Sequence, residues 1–326
     1  MDYYLYKLKF DGAVHFGQSE SALSLYTTAD HFRADTLFSA LCHTALSLWG
    51  EDGVQALVKQ AGADELLLSD SMPWRELAHE DVFYLPKPCA VSEKKWEIPA
   101  DLRKKMKRLL WIPVSDMGRF EQSIRGDALY KPKDEAFGIA SERTSVSIAE
   151  GADATPYQVG SFRFYPDCGL YIIVGVRTEA QAERMDRLIS AHGMSGIGGK
   201  ISSGYGSFTV EERIDLCAPF DAQTEWLHDA LEKRDAKHQL LLTTSLPADD
   251  ELEDALEGAQ YQLVRRAGYV QSDTFAKSPV RKRTQMFMAA GAMLSRPFRG
   301  ALYTVAQNER HAVVRYAKPM MLGVSF

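Results

Sequence analysis

Hydrophobic positions along the first two thirds of the chain follow strand and helix periods. The segment "YYLYKLKF" (3–10) is rich in aromatic residues and leucine and predicts a first strand. In "ADTLFSALCHTALSLWG" (34–50) the apolar positions follow a helical period, with Asp35 placed to cap the helix and Gly50 to end it. Three further segments predict a hairpin, a second helix and a last strand: "FRFYPDCGLYIIVGV" (162–176), "TEAQAERMDRLISAHG" (178–193) and "SFTVEERI" (207–214).

This order of elements predicts an α+β fold. Strand, helix, hairpin, helix and strand form the βαββαβ, ferredoxin-like plan, which is also the RRM-like scaffold for RNA. Residues 1–214 are the predicted first domain, with a long insertion at about 86–160. Residues 215–326 repeat the plan less clearly, with a strand in "HQLLLTTSLP", a short helix in "DDELEDALEG" and later strands near 260–270, 285–294 and 311–317. We therefore expect two tandem ferredoxin-like domains.

Composition favours an ordinary globular protein. The chain has 326 residues, of which 45% are hydrophobic and 25% charged. Neither a signal-like start nor a spanning apolar segment is evident, so we expect a cytoplasmic protein with no membrane partner. The four cysteines are scattered without metal-ligand spacing, which favours reduced, buried thiols over a zinc site or disulfides: Cys42, Cys89, Cys168 and Cys217. We expect no metal, no cofactor and no small-molecule substrate.

Charge is strongly segregated within the C-terminal third. Residues 215–257 carry twelve acids against three Lys or Arg, a net charge of −9. Residues 260–326 carry eleven Lys or Arg against two acids, a net charge of +9. The basic stretch could meet a polyanion and the acidic stretch a protein partner, although each run could equally be a solvated face.

The segment "SGIGGKISSGYGSF" (195–208) is the densest glycine cluster. It fits neither a phosphate-binding P-loop nor a dinucleotide fingerprint, since Ile201 stands where the first needs Ser or Thr and the second needs Gly. Glycines leave room for a polynucleotide backbone to approach exposed amides, and Lys200, Ser202, Ser203 and Tyr205 add a cation, two hydroxyls and a stacking ring. The alternative is a tight turn that needs glycine for shape alone.

Four stretches together resemble one protein family. They are "GIGGKISSGYGSF", "HFGQSE" (15–20), "HFRADTLFSALCH" (31–43) and "RHAVVRYAKPMMLG" (310–323). They are similar to the RAMP superfamily of CRISPR effector complexes, and within it to the type III-A (Csm-type) subunit that holds the crRNA 5′ handle. The family often has Tyr before the C-terminal Arg and Gly after the Tyr, whereas this chain reads Val314-Arg315-Tyr316-Ala317.

The resemblance implies a crRNA-binding, non-enzymatic subunit in antiviral defence. Its partners would be the crRNA, the large polymerase-like subunit and the backbone RAMP subunits of a ribonucleoprotein complex. The insertion would include a thumb-like hairpin. The expected RNA-binding residues lie after the first strand, in the glycine-rich loop and in the basic stretch: His15, Gly17, Ser195, Gly196, Gly198, Gly199, Lys200, Ser202, Ser203, Gly204, Tyr205, Arg265, Arg266, Arg281, Lys282, Arg283 and Arg296.

The alternative is a RAMP-type endoribonuclease that cleaves crRNA precursor or target RNA. His15 would be the general base, Lys200 the phosphate stabiliser, and Asp30 or Asp35 the acid. A simpler reading gives Asp35 to a helix cap and Lys200 to phosphate binding without cleavage. Binding is therefore favoured over catalysis, and a purely protein-bridging scaffold is less favoured because it leaves the basic stretch unexplained.

Overall fold

A computed structural model describes residues 1–17, 25–92, 94–147, 154–271, 275, 276, 278–309 and 311–325. The strands are β1 Asp2–Lys9, β2 Phe16–Gly17, β3 Thr28–Ala29, β4 Leu66–Leu68, β5 Met72–Leu77, β6 Glu80–Pro86, β7 Trp111–Pro113, β8 Gly138–Ser147, β9 Thr155–Phe164, β10 Cys168–Val176, β11 Thr209–Asp215, β12 His238–Leu241, β13 Leu263–Arg266, β14 Gln285–Met288, β15 Met293–Leu294, β16 Leu302–Gln307, β17 Ala312–Tyr316 and β18 Met321–Val324. The helices are α1 Ala34–Gly62, α2 Ala100–Arg108, α3 Met117–Arg125, α4 Glu179–Ser195, α5 Ala222–Glu232 and α6 Leu252–Leu256, with 3₁₀ turns at Val114–Asp116 and Ile201–Ser203.

The largest sheet has the strand order β11-β1-β10-β5-β6-β7, with β4 also paired to β10. All of its pairings are antiparallel. Following the chain through β1, α1, β4 and β5, β10, α4 and β11 gives the connectivity β-α-β-β-α-β, with the fourth strand beside the first and the third between the first and second. The predicted α+β class is thus confirmed.

The predicted hairpin at 162–176 is wrong. The chain does turn between Tyr165 and Cys168, but β10 pairs with β5 from before the insertion, through Cys168 to Tyr171. β9 instead pairs over its whole length with β8, from Gly138 opposite Phe164 to Ser147 opposite Thr155. The second strand of the plan therefore lies at residues 66–77, and the insertion ends in a separate two-stranded hairpin.

The largest sheet is covered on both faces, which explains why β10 is buried at every position. Side chains of β1 alternate between two cores, with Tyr6 and Leu8 in the first and Leu5 in the second. The first core contains residues of α1 and α4, such as Phe38. The second contains residues of β12 and β18, such as Leu322, so the two halves of the chain share a core.

The first helix departs from its prediction at both ends. Its N-cap is Arg33, and Asp35 makes no capping hydrogen bond; its carboxylate binds Arg266 instead. Gly50 does interrupt the helix, with φ 67° and ψ −161°, but a second helical segment continues directly to Gly62. This geometry lies in the positive-φ region that glycine adopts at little cost.

The C-terminal part consists of smaller sheets. β15, β12 and β18 form a three-stranded sheet, and β13 pairs with β14 and β16 with β17. The helix α5 was not foreseen; Asp221 and Thr224 form a reciprocal capping box at its start. The domain boundary after residue 214 and the insertion at 86–160 stay predictions.

The four cysteines are free thiols, as expected, but not all are buried. Cys168 is buried, Cys42 and Cys89 are half-buried, and Cys217 is exposed. Burial raises the pKa of Cys42 and of Cys168 to about 12. In the parts of the chain that the structure describes, no helix is both long enough and apolar enough to span a bilayer.

Candidate nucleic-acid interface

The glycine-rich loop is tied to the segment that follows β1. The loop begins where α4 ends, and the amide of Gly196 donates to the carbonyl of His192. The amide of Gly199 donates to the carbonyl of His15 at 2.9 Å, and the amide of Gly206 to the carbonyl of Ala13 at 3.0 Å. These bonds fix both ends of the loop to the same backbone segment.

Two glycines in this loop are required by the protein itself. At Gly198 φ is +102°, and an added Cβ would lie 2.6 Å from the His15 carbonyl oxygen. At Gly199 an added Cβ would lie 2.7 Å from Cδ2 of His15. The space on the Cβ side of these two glycines is thus filled by His15 and Phe16, while Gly198 itself is exposed on its other side; RNA binding at both glycines stays a prediction.

The outer part of the loop is open. An added Cβ at Gly204 would meet nothing within 4 Å. Ile201, Ser202, Ser203 and Gly204 are exposed, and we call these four residues the loop crest. Of the residues predicted to bind RNA, Ser195 and Gly17 are also exposed, Gly196 is buried, and Tyr205 is half-buried.

Lys200 joins the loop to the hairpin of the insertion. Its φ is +62°, and its ammonium donates to the hydroxyl of Tyr157 at 3.0 Å while lying 4.7 Å from the centre of that ring. The hydrogen bond from Lys200 lowers the pKa of the Tyr157 hydroxyl. The cation is half-buried, so it sits between the loop crest and β9.

His15 is enclosed. Its side chain is 4% exposed, and Nδ1 lies 2.7 Å from the carbonyl oxygen of Gly160 in β9. His15 therefore contacts Gly160 through its imidazole ring and the glycine-rich loop through its backbone carbonyl. It contributes to the packing of both.

The other proposed catalytic groups have partners of their own. Asp30 binds Nδ1 of His31 at 2.8 Å; burial alone would raise the pKa of Asp30, but hydrogen bonds from His31 and Trp111 outweigh it and lower the pKa. Asp35 binds Arg266. Within the described ranges, no hydrogen bond joins His15 to Asp30 or Asp35. The structure does not assemble these residues into an acid–base pair.

Asp35 lies in a buried ion-pair network. Arg266 donates to both of its carboxylate oxygens, at 2.9 and 2.8 Å, and Nε of Arg315 lies 3.8 Å away. Arg315 also donates to the carbonyls of Arg266, Ala267 and Arg283. Burial opposes ionisation of Asp35, but the charge and hydrogen bonds of Arg266 prevail and lower its pKa. Arg266 thus stabilises the contact between α1 and β13.

Part of the basic stretch is neutralised within the protein. Arg296 binds Asp254 at 2.5 Å and Glu257 at 2.7 Å, so the acidic and basic stretches are partly paired with each other. Arg265, Arg281 and Arg283 are exposed, with Arg281 donating to the hydroxyl of Tyr269. Lys277, Arg310 and residues 18–20 of the "HFGQSE" motif lie outside the described residues.

Comparisons with known proteins identify the family. The profile of the CRISPR Csm4 C-terminal domain matches residues 234–324. A Mycobacterium tuberculosis protein (strain CDC 1551 / Oshkosh) named "CRISPR system Cms protein Csm4" is 33% identical over 321 residues, covering 98% of this chain and 97% of that protein. The chain belongs to the Csm4 family. A Streptococcus thermophilus protein of the same name is 30% identical over 332 residues, covering 98% of both chains.

Two solved structures share the Csm4 fold seen here. One is titled "Crystal structure of Csm3-Csm4 subcomplex in the type III-A CRISPR-Cas interference complex"; its matching chain has a TM-score of 0.64 and 15% identity, with 100% of both chains covered. The other, "Crystal structure of Csm1-Csm4 cassette in complex with cA4", gives 0.60 and 18%, covering 100% of this chain and 98% of that one. The family membership rests on the sequence relatives, and the structures support the fold.

Proposed function

We propose that the chain is the crRNA-binding structural subunit of a type III-A CRISPR-Cas interference complex. It holds the 5′ handle of the guide RNA and bridges the large subunit to the backbone RAMP subunits in antiviral defence. The observation that carries this proposal is the full-length match to Csm4 proteins. The titles of the similar structures, which pair Csm4 with Csm3 and with Csm1, support these partners.

The proposal includes a finer architecture and a location. The two halves are tandem ferredoxin-like domains that meet near residue 214, and the protein works in the cytoplasm. The β-α-β-β-α-β connectivity of the first half supports the first ferredoxin-like domain. The proposal assigns no catalytic step to this chain, because His15, Asp30 and Asp35 each hold a different partner.

The RNA lies along the loop crest and the exposed part of the basic stretch. The crest offers hydroxyls and open backbone at Ser202, Ser203 and Gly204, and Arg265, Arg281 and Arg283 offer exposed cations. Phosphate contacts of this kind bind without reading sequence, and the ring of Tyr205 is available for stacking on a base.

Co-purification tests the proposal. A tagged chain expressed in its host should retain a discrete small RNA and a much larger protein. The double variant Ser202→Asp/Ser203→Asp places two negative charges on the loop crest and should lose the RNA while keeping the large protein. A matched control, Gln55→Glu/Lys59→Gln, changes the net charge by the same amount on the exposed face of α1 and should retain both.

Two results would contradict the proposal. If the crest variant retains as much RNA as the wild type, the loop is only a turn. If His15→Gln abolishes RNA cleavage by a complex that still assembles fully, the endoribonuclease is the better assignment.

A further inference from the structure

Four cations surround Asp35 at the start of α1. They are Arg33, Arg266, Lys282 and Arg315, and we call them the α1 cation cluster. Arg33 stands two residues before Asp35, Arg266 binds its carboxylate and Nε of Arg315 lies 3.8 Å from it. Lys282 precedes Arg283, whose carbonyl accepts a hydrogen bond from Arg315. The Asp35 carboxylate accepts hydrogen bonds from Arg266, and carbonyl groups accept most of the hydrogen bonds from Arg315. The cluster therefore holds more positive charge than its single internal carboxylate balances.

Arg33 and Lys282 carry the surplus. In the portion of the chain that the structure describes, neither side chain forms a hydrogen bond or an ion pair, although both are half-buried. Burial, followed by the charge of Arg266, lowers the pKa of Arg33. Burial, followed by the charge of Arg315, lowers the pKa of Lys282. Half-buried cations beside other cations, as Arg33 is beside Arg266 and Lys282 beside Arg315, are costly unless an anion joins them.

A second carboxylate that interacts with the cluster, Asp70, is already engaged. Asp70 lies close enough to Arg33 to interact electrostatically, but its oxygens accept hydrogen bonds from the amide of Ala34 at 2.9 Å and from Thr244. Burial raises the pKa of Asp70, which weakens it further as a counter-ion. The first turn of α1 adds the positive end of a helix dipole to the same place.

The cluster is continuous with the glycine-rich loop. Phe32, the residue before Arg33, packs on Phe16 with ring centroids 5.4 Å apart. Phe16 in turn fills the space beside Gly198. Two packed aromatic side chains thus connect the residue before Arg33 to the loop, which brings the start of α1 near a strand of RNA bound at the loop.

We propose that the α1 cation cluster binds a backbone phosphate of the RNA, with Arg33 and Lys282 in direct contact. This inference rests on the proposed function. Arg33 supplies a planar fork that suits phosphate oxygens, and Lys282 supplies a point charge. Asp35 is a positioning residue: it fixes Arg266, and with it the positive field behind the phosphate. The acidic residue of the rival nuclease hypothesis thus serves binding.

Salt titration of RNA binding tests the site. Full-length wild type and Arg33→Gln/Lys282→Gln are titrated with a labelled single-stranded RNA of the co-purified sequence and with labelled polyuridine. Loss of the one phosphate contact lowers the slope of log K against log salt by about 0.7, so the double variant should bind about 5-fold more weakly at 0.1 M salt. The loss should be alike for both RNAs, since phosphate contacts carry no sequence information.

Two control variants separate charge from folding. Arg33→Lys/Lys282→Arg keeps both charges and should keep the wild-type slope. Lys59→Gln removes an exposed cation at the far end of the same helix and should bind as the wild type does. If Arg33→Lys/Lys282→Arg lowers the slope as much as Arg33→Gln/Lys282→Gln does, misfolding causes the loss. The proposed phosphate site would then be wrong.

The remaining outcomes also decide the matter. If Arg33→Gln/Lys282→Gln binds RNA with the wild-type slope while the loop-crest variant does not, the proposed function stands and the cluster is not a phosphate site. If the double variant keeps RNA but loses the large subunit in a pull-down, the cluster is a protein contact and the inference is wrong. If the wild type itself retains no RNA, the proposed function fails and this inference with it.

Discussion

The glycine-rich loop and the basic stretch both suggest RNA binding from sequence, but their residues are used differently in the structure. In the loop, the Cβ sides of Gly198 and Gly199 face His15 and Phe16, whereas Gly204 in the crest has open space beside it. In the basic stretch, Arg266 and Arg315 are taken up by Asp35 and by carbonyl groups, while Arg265, Arg281 and Arg283 are exposed.

The difference shows that a residue of suitable type can form part of an interface only if it is not already bound to other groups inside the protein. The loop divides by position, because its ends are bound to the backbone of His15 and Ala13 and its crest is not. The basic stretch divides by partner, because Arg266 and Arg315 meet Asp35 while Arg265 and Arg283 are exposed. Variants that separate internal from external roles can therefore sharpen this comparison.

The largest effect is expected at Asp35. Asp35→Asn leaves the buried Arg266 and Arg315 without a carboxylate, which should cost about 3–5 kcal/mol in the free energy of unfolding. Because the folded pKa of Asp35 is lowered, the wild-type stabilisation is present above the unfolded pKa and is lost as the pH falls through the folded pKa. Denaturant titration of the full chain at neutral and acidic pH measures the cost of the substitution and the pH dependence of the wild type. An unchanged unfolding midpoint for the variant would mean that the ion-pair network does not stabilise the fold.

A second effect concerns His192, whose backbone carbonyl accepts a hydrogen bond from Gly196 at the start of the glycine-rich loop. Burial, with a further contribution from His43, lowers the pKa of His192 to about 4, whereas the free side chain titrates near 6.5. The unfolded chain therefore binds the proton first, and stability should fall by about 3 kcal/mol as the pH drops from 6.5 to 4. His192→Phe should remove this component in a pH series of unfolding curves. An identical pH dependence in the variant would contradict the assignment.

A third pair of variants divides the loop itself. Gly198→Ala puts a Cβ against the His15 carbonyl at a positive φ and should cost about 3 kcal/mol. Gly204→Ala meets the same backbone penalty in open space and should cost about 1 kcal/mol. Thermal unfolding of the two proteins compares them directly, and equal losses would mean that the inner glycine is not required by packing.

The smallest effect is expected where the two charged stretches meet at the surface. Asp254→Asn removes one carboxylate from exposed Arg296 and is the matched counterpart of Asp35→Asn. Because Glu257 still pairs with Arg296, the cost should be about 0.5 kcal/mol and should shrink further at high salt. A loss as large as that of Asp35→Asn would show that the exposed pairs hold the C-terminal part together.

Local patterns were sufficient for much of the fold. Helical spacing correctly predicted the second helix at 178–193, which is α4, and its apolar residues Ala182, Met185 and Ile189 are buried. The α5 helix was missed although its signal was present, since Asp221 and Thr224 stand at capping-box spacing. The pairing of β10 with β5 could not be read from the sequence, because the nearer strand β9 had an equally good pattern and the outcome depends on long-range packing.

The candidate site was predictable to a similar extent. The glycine cluster predicted the position of the loop. Only the three-dimensional structure distinguishes the loop crest from the glycines that face His15. The role of Asp35 was misread as a cap because its partner, Arg266, is 231 positions away. Ion pairs of that separation leave no local pattern, whereas caps and helical faces do.

One hydrogen bond bears on how the protein emerges from the ribosome. The amide of Leu68 donates to the hydroxyl oxygen of Tyr316 at 2.9 Å, a contact that spans 248 positions, and the Tyr316 ring packs on Phe38. Tyr316 is synthesised long after Leu68 and Phe38, so this contact with β4 stays unmade until β17 has left the ribosome. Termination of translation within β17 would therefore release a chain whose N-terminal part lacks the contacts of Leu68 and Phe38 with Tyr316.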